Sequence, residues 1–157
     1  MKYWLISDTH LGHHNLEDYE SRPEDFTIQI INNWNTLVND NDLIIHLGDV
    51  ILSGKDNYNR WVTNLRGRKI LIKGNHDSGS YKFYLEHGWD FVCEYFVWKI
   101  YGLQILFSHK PMIIWSGIDI NIHGHSHSRG NFISDKHRLF ILEHHYKPIE
   151  LRTFLKI

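Results

Sequence analysis

The apolar positions of this chain switch between two periods. Lys2 to Ser7, "KYWLIS", is a short apolar run ending in the polar cluster "DTHLGHHN", the pattern of a buried strand that delivers a loop. Between Glu24 and Asn39 the apolar residues Phe26, Ile30, Ile31, Trp34, Leu37 and Val38 fall three and four apart, which predicts an amphipathic helix. "DLIIHLGD" (Asp42 to Asp49) predicts a second strand. It is followed by a helix in "KDNYNRWVTNLRG" with Tyr58, Trp61, Val62 and Leu65 on one face and Gly67 as C-cap. "RKILIKGNHD" (Arg68 to Asp77) repeats the pattern, with a short helix over Ser80 to His87 ended by Gly88. Beyond Asp90 the texture becomes β-rich. "FVCEYFVWKIYGLQILFSH" reads as two strands around a Tyr101-Gly102 turn, and further strands fit Asp119 to Ile122, Leu139 to Glu143 and Pro148 to Leu155. Strand-helix units followed by antiparallel strands predict a layered α/β fold with its polar clusters at strand ends.

Length changes this picture little: 157 residues suit one domain, taken as residues 1–157. Charge excludes more. With 17 basic against 18 acidic residues and no long run of one sign, neither an extended nucleic-acid surface nor adhesion to anionic membrane is expected. The opening "MKYWLISDTHLG" fits neither a signal peptide nor a membrane span, which predicts a cytoplasmic protein. The single cysteine, Cys93, lies in an aromatic run and reads as a buried, inert thiol. Thirteen histidines without low-complexity context are the one anomaly that points to chemistry.

In "NIHGHSH", His123, His125 and His127 fall at alternate positions, so an extended backbone would project them to one face. Taken alone this stretch reads equally well as ligands or as a solvated strand end. Four other strand-to-loop junctions also end in donors: Asp8 with His10, Asp49, Asn75 with His76 and Asp77, and His109. Each alone is an ordinary turn or cap. Together they offer carboxylate, amide oxygen and imidazole with no thiolate, a mixture suited to Mn²⁺, Fe²⁺ or Zn²⁺. The count exceeds what one ion needs, and a carboxylate can bridge two ions ~3.5–4 Å apart.

These residues resemble the calcineurin-like metallophosphoesterases. The likeness rests on "SDTH" (Ser7 to His10), "GD" (Gly48, Asp49), "GNHD" (Gly74 to Asp77), "SH" (Ser108, His109) and "GHSH" (Gly124 to His127), in that family's order. It implies two facing mixed β-sheets flanked by α-helices, in four layers. It implies two divalent ions, with Mn²⁺ favoured and Fe²⁺, Zn²⁺ or Ni²⁺ also compatible. Asp8, His10 and His127 would bind one, Asn75, His109 and His125 the other, and Asp49 would bridge. A water or hydroxide shared by the ions would attack phosphorus in line. His76 would face the scissile phosphate off the metals, protonating or stabilising the departing oxygen, with Asp77 orienting its imidazole. The substrate would be a small phosphoester, of nucleotide type among the candidates. Only thirteen residues separate His109 from His123, too few for a cap, so an open site with room for diesters is expected.

His13 or His14 could touch substrate or support a ligand, and Arg22 could fork to a substrate phosphate, although solvated loop residues read as well for each. His123 reads as a buried hydrogen-bonding residue behind the ligands. His46, His87, His137, His144 and His145 carry no site signal. Three rival readings stand. An HD-type phosphohydrolase would put its ligands on helices, a degenerate fold kept as a protein-binding scaffold would not bind metal, and Ser126 lacks the glycine a nucleophile elbow needs.

Overall fold

The computed structural model describes residues 1–13, 22–51 and 58–157. His14 and the residues before Tyr58 in the second expected helix lie outside the described residues. Four parallel strands, β1 (Tyr3–Ile6), β2 (Leu43–His46), β3 (Arg68–Ile72) and β4 (Phe91–Cys93), form one sheet, and β9 (Ile149–Glu150) adds antiparallel to β1. A second sheet has the order β5 (Tyr95–Ile100), β6 (Leu103–Ser108), β7 (Ile120–His123), β8 (His137–Leu139). Its β5–β6 pair is antiparallel and the other two pairs are parallel. Leu5, Ile44 and Leu71 of the first sheet and Ile105, Phe107 and Ile122 of the second belong to one buried cluster, so the apolar faces of the sheets meet. The fold class matches the expected pair of mixed sheets with helices.

Helix α1 (Phe26–Leu37) buries Phe26, Ile30 and Trp34 along the expected stripe. It ends at Val38, whose N–H reaches the Trp34 carbonyl. Trp34 and Phe26 are among the largest fully buried side chains, each stabilising the fold by ~1.5–3 kcal/mol relative to exposure. In the second helical stretch only α2 (Tyr58–Trp61) is helical among the described residues. Helix α3 (Tyr81–Glu86) starts where expected, because the Ser80 side chain accepts the Phe83 N–H at 3.1 Å. The hairpin turn at Tyr101-Gly102 has φ of 55° and 78°, the twist that a tight two-residue connection demands.

Three expectations need correction. The run after Asp90 makes three strands rather than two, since β4 completes the first sheet and one residue, Glu94, carries the chain to β5 in the second. The strand expected over Leu139 to Glu143 is displaced to His137–Leu139, and Leu142–His144 is a 3₁₀ turn. Of the strand expected over Pro148 to Leu155 only Ile149–Glu150 pairs, and Leu151–Leu155 is helix α4. Leu151, Phe154 and Leu155 lie three and four apart, a helical spacing that in so short a run looks the same as a strand. No helix among the described residues is long and apolar enough to cross a membrane.

Candidate metal centre

The loops after β1 and β2 continue the strand ladder beyond the strands themselves. Asp8 N–H donates to the Gly48 carbonyl (2.9 Å), His10 N–H to Asp49 (3.0 Å) and Leu11 N–H to Val50 (2.9 Å). This zips "DTH" against "GD" and buries both carboxylates. From the second sheet, Gly124 N–H donates to the His109 carbonyl at 2.9 Å, which brings the β6 and β7 loops to the same place.

Two groups result, each with its donor atoms within 4.8 Å of one another: Asp8, His10 and His127, and Asp49, His109 and His125. Asp49 stands between them. Its Oδ2 is 3.7 Å from His10 Nε2 and 3.4 Å from His109 Nε2. Asn75 Oδ1 lies 3.0 Å from His109 Nε2, which puts the amide in the second group's neighbourhood. All seven residues singled out as ligands therefore meet. The fit to cations is supported by their chemistry, carboxylate, amide oxygen and imidazole, and by His10 Nδ1, which is buried with no hydrogen-bond partner among the described residues.

Ring orientation is set from outside the groups. His109 Nδ1 donates to the Leu47 carbonyl at 2.7 Å, which turns Nε2 toward Asp49. His127 Nδ1 lies 2.8 Å from Glu143 Oε1, leaving Nε2 toward Asp8 at 3.8 Å. Asp8 accepts the Ser7 hydroxyl (2.5 Å) and the His125 N–H (3.0 Å).

Charge states follow from these contacts. Burial pushes Asp8 up to about 6 against the pull of His127 and His109. Burial also acts to raise Asp49, but the His109 hydrogen bond and charge, the His76 N–H and His10 outweigh it and hold the carboxyl at about 2. Burial lowers His10 to about 3, so it is a neutral imidazole at ordinary pH, the form that binds a cation without first releasing a proton.

Asp8, His10, Asp49, His125 and His127 all have positive φ, between 43° and 70°. Non-glycine residues are rare in this left-handed region and cluster at functional sites. Glycine is required beside them. Gly48 has φ of 102°, and a Cβ there would meet Gly74 N at 2.6 Å and His109 Nδ1 at 2.7 Å. A Cβ on Gly124 would overlap Ser7 Oγ and the Asp8 carboxylate. Gly124→Ala is thus expected to displace Asp8 and cost ~1–3 kcal/mol by overpacking. At ~2–4 °C per kcal/mol the melting temperature should fall by roughly 2–12 °C, read by thermal circular dichroism. An unchanged melting curve would show that the two loops are not in contact.

The remaining expected residues divide. His76 is outside both groups, with its side chain 44 % exposed, Nε2 3.9 Å from Asp49 Oδ2 and its ring 5.4 Å from that of His10. The His13 ring stands 6.3 Å from His10, and buried His123 belongs to neither group. Asp77 does not orient the His76 ring. Its carboxylate accepts N–H groups from Asp49 (2.7 Å), Gly74 (2.8 Å) and Val50 (3.1 Å), so it shapes the loops instead. Arg22 is not placed to fork to a phosphate either. Its guanidinium is buried and donates to the carbonyls of Asp8 (2.8 Å) and Thr9 (3.1 Å) and to Glu143.

Two residues were missed. The Glu143 side chain packs against Arg22 and His127, with 8% of it exposed. Burial acts to raise it, but the His127 hydrogen bond and the Arg22 charge hold it down at about 2. His46, fully buried at the end of β2, accepts the Gly48 N–H at Nδ1 (3.1 Å) and so donates from Nε2 to Thr9 Oγ1 (2.9 Å), tying the two loops together. A lone histidine closing an apolar strand just before "LGD" was its only signal. Glu143, in "LEHH", had none.

The model of the calcineurin-like phosphoesterase superfamily domain matches residues 1–142. An uncharacterised protein of Methanocaldococcus jannaschii, MJ1445, is 33% identical over 99% of this chain and 90% of its own length. The Gene 66 protein of Mycobacterium phage L5 is 27% identical over 80% of this chain and 77% of its own. Among solved structures, a protein of unknown function from Aquifex aeolicus, AQ665, superposes with a TM-score of 0.78 at 28% identity, covering 99% of this chain and 98% of the other. An archaeal phosphodiesterase shares the fold with a TM-score of 0.52 at 21% identity, over 90% and 82%.

Proposed function

Since the chain belongs to the calcineurin-like phosphoesterase superfamily, we propose that it hydrolyses phosphate esters, diesters at least as well as monoesters, with two divalent cations held on its two donor groups. The observation that carries this reading is Asp49, whose Oδ2 lies within 3.7 Å of one group and 3.4 Å of the other. Asp8, His10 and His127 would hold one ion, and Asn75, His109 and His125 the second, with Asp49 shared. Bound cations would lower the pKa of a water and spread positive charge over the phosphate.

The chain's own groups do the rest. His109 and His127 are locked by Leu47 and Glu143 so that their Nε2 atoms face the centre. Asp77 and His46 hold the loop backbones that set Asp49 and Asp8. His76, beside the donors yet half exposed, would give a proton to an ester's leaving oxygen as its bond to phosphorus breaks. The diester preference rests on the short connection between His109 and His123, which is too short to form a cap over the site. The archaeal protein that shares the fold is a phosphodiesterase, which agrees with this preference.

The test is hydrolysis of p-nitrophenyl phosphate, bis-p-nitrophenyl phosphate and cyclic nucleotides with Mn²⁺, before and after exhaustive EDTA treatment. Turnover should vanish with chelator, return with Mn²⁺, and decline as pH falls through about 6, where Asp8 takes up a proton in competition with metal. Full turnover in EDTA would overturn the metal-dependent reading, and turnover of monoesters alone the diester preference.

A further inference from the structure

A cavity of about 350 Å³ opens directly off the second donor group, since Asn75 and His109 form part of its wall. That volume is at the lower end of small-molecule sites. Its other walls include two lysines, Lys73 just before "GNHD" and Lys110 just after "SH". Neither has an ion-pair partner within 4.0 Å among the described residues. Lys73 Nζ instead lies over the rings of Tyr81 (5.2 Å) and Tyr84 (5.8 Å), which place it without neutralising it. Glu94, the one carboxylate on the wall, already accepts the Tyr81 hydroxyl at 2.6 Å.

Met112 lines this cavity and also an adjoining trough of about 270 Å³, otherwise walled by Pro111, Ile113, Ile133 and His137. Ile113 is 90% exposed there, an apolar surface that no described residue covers. The donor groups adjoin the cationic hollow through Asn75 and His109, and the hollow adjoins the apolar trough through Met112.

We propose that the cationic hollow formed by Lys73 and Lys110 is a binding site for a second phosphate, so that the preferred substrate is a nucleotide ester with another phosphate flanking the scissile one. The inference rests on the phosphoesterase reading and narrows its substrate class. A lone ester leaves two cations facing water. A neighbouring phosphate joins both in charge-assisted contacts, while a nucleobase has the Met112 trough to lie against. Neutral extensions gain nothing from the lysines.

The experiment compares two chromogenic diesters, thymidine 5′-(p-nitrophenyl phosphate) and the same compound bearing a 3′-phosphate, with Mn²⁺. Wild-type protein should show a KM roughly 10-fold lower for the 3′-phosphorylated substrate, and Kd values for thymidine 3′,5′-bisphosphate and thymidine 5′-phosphate should differ in the same sense. In the Lys73→Gln/Lys110→Gln variant both ratios should fall to about one. A merely structural role would raise both KM values together and leave the ratio unchanged. Equal KM values in wild type, or a preference that survives in the double variant, would overturn the second-phosphate site while leaving the phosphoesterase reading intact. If the wild-type protein hydrolyses p-nitrophenyl phosphate but none of the diesters, this inference fails and the phosphoesterase reading stands; if it hydrolyses none of them, both fail.

Discussion

Asparagine at position 49 is expected to reduce kcat/KM by about 1,000-fold or more, a loss near 4 kcal/mol of transition-state stabilisation, and to leave the chain unable to retain two ions. The fold should survive. Asp49 Oδ1 accepts the His76 N–H at 2.9 Å, and an amide oxygen can take over that bond. What the amide cannot supply is the negative charge of Oδ2, the one atom that faces His10 of the first group and His109 of the second. Two cations would then share a site with a single remaining carboxylate, Asp8. Metal analysis after gel filtration checks this, with circular dichroism as the folding control. Retention of two ions per chain in Asp49→Asn would remove Asp49 from its shared position.

His76→Ala should separate catalysis from metal retention. Its ring lies in neither donor group and its side chain is 44 % exposed, so both ions should remain. The loss should depend on the leaving group. A p-nitrophenolate departs without a proton, whereas an alkoxide needs one, and general-acid help is worth ~10²–10⁴-fold. The ratio of wild-type to variant rate should therefore be larger by about two to four orders of magnitude on an unactivated alkyl ester than on an aryl ester. Equal losses would assign His76 to charge stabilisation rather than proton donation. Loss of an ion would make it a ligand.

The donor set was legible because each donor closes a strand or begins the loop after it, and such junctions show in the sequence as apolar runs broken by "SDTH", "GD", "GNHD", "SH" and "GHSH". The structure brings all seven to one place. Roles that depend on a partner distant in the chain could not be read this way. Arg22 meets Glu143 across 121 positions, and neither "SRPED" nor "LEHH" announces the pairing. Asp77 was assigned to its neighbour His76, whereas its carboxylate reaches back 28 and 27 positions to Asp49 and Val50. The fold shows the same division. The long stripe of α1 and the first three strands have enough apolar positions to declare their period. The segment after Leu139 offers runs of two to five residues in which strand and helix spacings coincide, and its outcome is decided by pairing with β1 and β7.

The left-handed backbone at Asp8, His10, Asp49, His125 and His127 also bears on how this protein would respond to selection for robustness. An L-residue held there is disfavoured by about 1–2 kcal/mol, and glycine escapes most of that cost. Selection scored by melting temperature alone would thus drift toward glycine at these five positions and erase the donors before it touched the core. Heat tolerance and reactivity compete for the same peptide units, so a hardier version of this chain must take its gains from the helices and the sheet edges.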